Sequence, residues 1–165
     1  MGLRIWEETD PFLMEEMNDA NRKIDAAIAE RPVILLAEKK LEASAYSVYL
    51  DLSEKDLADV IELQVFFPGE NNTRLRLNSF SGTLYSYSSS QGWQLSGSST
   101  VSAPDGHVSV RNIRGLGSAE GDIYMEGFSK YKISASSVGP LHSLTFTRSS
   151  PFAAGDRFIV IGIKV

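Results

Sequence analysis

The spacing of hydrophobic side chains changes at Pro32. Before Pro32, apolar residues recur at alternating intervals of four and three, the period of a helix that packs against a partner helix. These seam positions are Leu13, Met17, Ala20, Ile24 and Ala27. After Pro32, apolar and polar residues alternate over short stretches, as in strands that bury one face. The pattern predicts an N-terminal helical attachment and oligomerisation segment, residues 1–32, followed by a β-domain, residues 33–165.

Local signals mark both ends of the predicted helix. Thr9 or Asp10 can cap the first free amides, and Pro11 suits the first helical position. Pro32 cannot continue the hydrogen-bond ladder and disfavours helical geometry in the residue before it. We therefore expect the helix to end near Glu30.

The seam has two interpretations. In the favoured one, equivalent helices from two or three chains form a short parallel bundle, and a trimer is the preferred assembly. In the other, the helix packs on its own β-domain. The seam is short, and Ala20 and Ala27 bury little surface. A lasting oligomer would therefore need contacts between the β-domains as well.

The β-domain contains roughly nine or ten alternating stretches separated by polar turns. From residue 83 onward they are Thr83 to Tyr87, Trp93 to Val101, His107 to Ile113, Asp122 to Phe128, Tyr131 to Ala135, Leu141 to Arg148 and Arg157 to Lys164. A second helix of useful length does not interrupt them, which argues against a parallel sheet. The predicted fold is mainly β: an N-terminal α-helix followed by an antiparallel, jelly-roll-like β-sandwich.

The last stretch, Phe158 to Val165, is apolar at nearly every position. One of its faces should meet the core. The other face is covered within the same domain if the strand is central, or by a neighbouring copy if it is not.

Composition narrows the classes of function. The chain has 165 residues, 42% hydrophobic residues and a formal net charge of -5, without a run of basic residues. This balance argues against a protein devoted to nucleic-acid phosphates. The absence of cysteine excludes disulfides and thiolate metal sites. The first ten residues resemble neither a secretory leader nor a membrane span, so we expect no membrane insertion.

Polar residues give no catalytic motif. His107 and His142 stand apart from Asp and Glu at metal-ligand spacing, so we predict no metal and no cofactor. Loop acids that offer an alternative calcium site are Asp105, Glu120 and Asp122. The glycines of RGLGSAEGD (114–122) do not follow the dinucleotide pattern, and a turn or bulge between strands is expected there. The protein is therefore predicted to be non-enzymatic; a small hydrolase remains the alternative if distant acids converge.

One stretch has the composition of a saccharide site. Tyr85, Tyr87 and Trp93 flank the polar turn that contains Gln91. Aromatic rings stack on the C–H faces of sugars, while amides and hydroxyls fix the orientation of the ligand. The competing interpretation, which residue type favours, places Tyr85 and Trp93 in the core of adjacent strands. Tyr87 and Gln91 are the expected exposed members.

Two stretches carry a resemblance to known proteins. Asn18 to Ile28, NDANRKIDAAI, resembles the N-terminal helix of tail, baseplate and fibre proteins of bacteriophages and prophages, and Pro151 to Lys164, PFAAGDRFIVIGIK, resembles the closing strand of their small C-terminal β-domains. The resemblance implies a virion component assembled in the bacterial cytoplasm, in contact with other virion proteins and with a cell-surface saccharide. The alternatives are a carbohydrate-binding module without a virion role and a trimeric head resembling those of tumour-necrosis-factor ligands.

Overall fold

The computed structural model describes Arg22 and residues 33–165. The predicted helix and its seam residues Leu13, Met17, Ala20, Ile24 and Ala27 lie outside this described part. The β-domain is built from two antiparallel sheets and one short helix. The prediction of a mainly β, antiparallel domain is therefore confirmed.

Alternation of apolar and polar residues divides the described chain into twelve strands. They are β1 (Val33–Lys40), β2 (Ala45–Asp51), β3 (Val60–Phe66), β4 (Arg74–Leu77), β5 (Tyr85–Ser88), β6 (Gly92–Leu95), β7 (Val101–Ser102), β8 (His107–Arg111), β9 (Asp122–Glu126), β10 (Lys130–Ser134), β11 (Ser143–Phe152) and β12 (Arg157–Lys164). The short helix α1 (Ala135–Val138) separates β10 from β11.

The first four strands alternate between the two sheets. The large sheet has eight strands in the order β1-β12-β3-β8-β9-β10-β5-β6, and the small sheet has four in the order β2-β11-β4-β7. Every neighbouring pair is antiparallel. Strand β10 of the large sheet faces the small one, since the backbone N–H of Ser102 on β7 donates to the hydroxyl of Tyr131 on β10.

Aromatic rings from both sheets form the centre of the core. Phe146 of β11 is fully buried, and its ring centroid lies 5.0 Å from that of Phe158 on β12 and 4.9 Å from that of Phe67. Phe152 packs edge-on against Phe158 at 5.1 Å. Since Phe146 and Phe158 belong to different sheets, these contacts join the inner faces of the two sheets.

Two of the predicted strands include residues that belong to another element. The stretch Trp93 to Val101 is divided between β6 and β7, which lie in different sheets. The serine hydroxyls of Ser96 and Ser98 accept hydrogen bonds from backbone N–H groups two residues ahead, and these local bonds turn the chain where apolar content alone suggested a continuous strand. Ala135, predicted to close a strand, instead begins α1.

The apolar last strand is central in its sheet. β12 lies between β1 and β3, with Phe158 and Val160 buried on the inner face. On its outer face, Ile159, Ile161 and Ile163 are only partly covered. One face of β12 therefore lies in the core, and the described residues leave its other face half-exposed.

Candidate functional site

Register aligns side chains into a row that crosses the whole outer face of the large sheet. Residues directly opposite each other on neighbouring strands share a face. Starting at β1, the row runs Val33, Ile163, Glu62, Arg111, Tyr124, Lys132, Tyr85 and Leu95. It is apolar at the β1 end, charged in the middle and aromatic towards β6. Two surfaces of different chemistry therefore lie on one face.

We call the first of these the aromatic surface. Its members are Tyr85, Tyr87, Trp93, Tyr124 and Lys132. The Trp93 ring is the hub, because its centroid lies 5.4 Å from that of Tyr87 and 6.1 Å from that of Tyr124, both edge-on. The Lys132 ammonium lies 5.1 Å from the Trp93 centroid and 6.0 Å from that of Tyr85. Four strands thus contribute to one cluster of rings and a cation.

The structure brings the predicted residues Tyr85, Tyr87 and Trp93 together, with Gln91 in the connecting turn. The backbone N–H of Gln91 donates to the Ser88 hydroxyl at 3.1 Å, and its side chain is exposed. Tyr87 is exposed as well, as predicted. Gln91 therefore belongs to the turn beside the rings.

The interpretation of Tyr85 as a core residue is wrong. Its side chain is 41% exposed, and it lies opposite the outward-facing Lys132. The buried position belongs to Leu84, one residue earlier. Since side chains alternate across a strand, a shift of one residue reverses the face. Trp93 is half-buried, and its covered area is shared with other rings of the aromatic surface.

A cleft of about 380 Å³ opens beside Trp93 and Tyr124. Its polar wall includes Arg111, Glu126 and Lys130. Glu126 forms an ion pair with Lys130 at 3.0 Å. The volume is in the range of sites for small organic ligands, and rings on one side with charged groups on the other suit a polar ligand that has an apolar face.

Sequence reasoning missed Tyr124, Lys132 and Arg111. Each occupies an outward position of a predicted strand, so the alternation of polar and apolar residues predicts that its side chain is exposed. Alternation does not specify which strands are neighbours. Sheet order and register are needed to place these residues beside Trp93.

The second surface lies on the same outer face, at the β1 end of the large sheet, and we call it the apolar patch. Its members are Val33, Leu35, Phe66, Ile159, Ile161 and Ile163. Leu35 is 61% exposed and lies opposite Ile161, and Phe66 is 42% exposed and lies opposite Ile159. The outer face of the small sheet is more polar, with Arg74, Arg76, Thr145 and Thr147 in register. The outer face of the large sheet therefore exposes more apolar surface at its β1 end than the outer face of the small sheet does at these positions.

The described residues contain no group of three or more His, Asp or Glu side chains placed to hold a metal ion. The loop acids of the alternative calcium site are not brought into such a group. Hydrogen bonds from the hydroxyl and the backbone N–H of Ser53 lower the pKa of Asp51 below its ordinary value. Asp51 is fully exposed, so its lowered pKa results from hydrogen bonds within a turn. It is not the pKa shift expected of a buried general acid.

Comparison with protein-family models, with characterised proteins and with solved structures finds no match to this chain. Within the described residues, no helix is both long and apolar enough to cross a membrane. The two surfaces of the large sheet are therefore the candidate sites for function.

Proposed function

We propose that this protein is a non-enzymatic structural subunit of a phage or prophage particle, a homotrimer that recognises a cell-surface saccharide through the aromatic surface. The observation that carries the proposal is the clustering of Tyr85, Tyr87, Trp93 and Tyr124 on an outer sheet face. Partly exposed rings at the rim of a cleft present flat apolar area to a ligand. A saccharide offers C–H faces for those rings and hydroxyls for the polar groups around them.

The strand order supports a jelly-roll-like sandwich as the scaffold. Two sets of four neighbouring strands, β1-β12-β3-β8 and β2-β11-β4-β7, lie in the two sheets, and successive strands from β1 to β4 alternate between the sets. Eight strands in two facing antiparallel sheets are the jelly-roll arrangement. In this description β5, β6, β9 and β10 are an addition to one sheet, and they carry the aromatic surface.

The apolar patch supports assembly of several copies. Val33 is both a member of the patch and the first residue after the segment whose seam is predicted to join chains. A contiguous apolar surface on a sheet face is a feature of association sites. We therefore propose that the patch meets another copy of the chain and supplements the short helical seam.

Glycan-array binding of the full chain tests the recognition function. Replacing Trp93 with Ala should weaken saccharide binding by about fivefold or more, because one stacked ring contributes about 1 kcal/mol beyond its buried area. Tyr87→Ala should weaken it as well, and Tyr87 is exposed enough to leave folding unaffected. The matched control is Tyr46→Ala, an exposed aromatic of the small sheet. Failure of the intact protein to bind any glycan at high concentration would refute the proposal.

A carbohydrate-binding module without a virion role is the second candidate, and the aromatic surface favours it equally. The two candidates differ in assembly. A protein that binds glycans as a monomer at every concentration would be such a module, since a single-chain module needs neither the seam nor the apolar patch.

A further inference from the structure

Tyr124 lies between two cations on the outer face of the large sheet. Register places Arg111 opposite it on β8 and Lys132 opposite it on β10. Directly opposed residues on neighbouring strands have Cβ atoms about 5 Å apart. A ligand stacked on the Tyr124 ring would therefore have a positive group within reach on each side.

The two cations differ in how far they are neutralised. Both Nε and Nη2 of Arg111 contact one oxygen of Glu62, at 3.1 and 2.9 Å, and the other Glu62 oxygen accepts a hydrogen bond from Gln64. Lys132 forms no ion pair with any described residue. Its ammonium instead lies over the Trp93 and Tyr85 rings.

The charge balance of the site therefore differs from that of the chain. Arg111 is paired with Glu62 and Lys130 with Glu126, which leaves Lys132 as the uncompensated charge of this row and cleft. The whole chain carries a formal net charge of -5. A cation that forms no ion pair with a described residue and lies beside stacked rings is available to an acidic group of a ligand.

We propose that the saccharide bound by the aromatic surface is anionic and carries a carboxylate that Lys132 contacts. This inference rests on the proposed saccharide function. The sugar ring stacks on Tyr124 or Trp93, its carboxylate accepts hydrogen bonds from the Lys132 ammonium, and the free Nη1 side of Arg111 faces the same ligand. A neutral sugar would gain the stacking but not the charge-assisted hydrogen bond.

The test compares two ligands that differ only in charge. Tetragalacturonate and its carboxyl-reduced form, a neutral tetragalactoside, are titrated into the full-length protein by calorimetry, alongside an array of acidic and neutral bacterial glycans. We expect the acidic member of each bound pair to bind about tenfold more tightly at low ionic strength, the effect of one charge-assisted hydrogen bond. Added salt should reduce that preference.

Variants separate the charge from the rings. Lys132→Gln should weaken binding of the acidic ligand more than binding of the neutral one and so remove the preference, Lys132→Arg should restore the preference, and the control Lys55→Gln, in an exposed turn, should behave as wild type. Equal binding of both members of every bound pair would overturn this inference while the saccharide function stands. If the protein binds no acidic glycan and no neutral glycan, both this inference and the proposed saccharide function would be overturned. An effect of Lys132→Gln no larger than that of Lys55→Gln would also overturn the inference.

Discussion

Gly115 lies closer to a neighbouring backbone than a residue with a side chain allows. A Cβ added there would be 2.1 Å from the carbonyl oxygen of Ala58, and its φ of +91° lies in the left-handed region. The next glycine, Gly117, donates its N–H to the Leu57 oxygen at 2.9 Å. The glycines between β8 and β9 thus serve as a turn, as predicted, and also as the docking point for the loop that precedes β3.

Two glycines that both have a positive φ but differ in their surroundings test this account. Gly92 has φ of +71° and open space where a Cβ would be. We expect Gly92→Ala to cost about 1–2 kcal/mol of unfolding free energy, the cost of the left-handed conformation alone. Gly115→Ala carries the same cost plus the clash with Ala58, so its unfolding free energy should fall by at least about 2 kcal/mol more.

Urea unfolding of both variants, followed by circular dichroism, measures the difference. Equal destabilisation at the two positions would show that the close approach at Gly115 contributes nothing.

Residue types predicted the candidate site only in part. Tyr87 and Gln91 are exposed because a polar turn connects β5 and β6, and that turn was visible in the sequence. Residue type favours a core position for Tyr85, because an aromatic ring is buried more often than a polar side chain. Leu84 occupies the inward position, so the next residue, Tyr85, lies on the outer face.

At the scale of elements, the period of hydrophobicity gave the type of structure but not the partners of each strand. The stretches Asp122 to Phe128 and Arg157 to Lys164 contain strands as predicted, because each alternates in burial over several residues. Sheet order depends on contacts between distant parts of the chain. The β1–β12 pair joins the two ends of the β-domain, and alternation within either strand contains no information about the other.

The junction of the two sheets depends on Phe146. It is fully buried, and its ring contacts Phe67 and Phe158. Phe146→Ala should therefore reduce the unfolding free energy by about 3–5 kcal/mol, the usual cost of removing a buried aromatic ring. Its neighbour Thr147 is exposed on the same strand, and Thr147→Ala should change stability by less than about 0.5 kcal/mol.

Thermal melting of these two variants gives the comparison directly. A melting temperature for Phe146→Ala that matches Thr147→Ala would mean that the ring cluster does not hold the sheets together.

At the scale of the whole β-domain, the outer face of the large sheet is divided into two surfaces of different chemistry. The apolar patch occupies β1, β12 and β3, and the aromatic surface occupies β9, β10, β5 and β6, with the charged pair Glu62 and Arg111 between them. Contacts between copies at the patch would therefore leave the aromatic surface accessible. Several weak saccharide sites on one assembly also bind a repetitive cell surface more strongly than one site does.

The central claim, that several chains assemble to present this recognition surface, is tested most directly by the solution mass of the full chain. Light scattering over a range of concentrations should give three times the 18.1 kDa chain mass. The double variants Met17→Ser with Ile24→Ser and Leu35→Thr with Ile161→Thr should each lower that mass without unfolding the β-domain, whereas Tyr46→Thr, on the small sheet, should not. A wild-type mass of a single chain at every concentration would contradict the account.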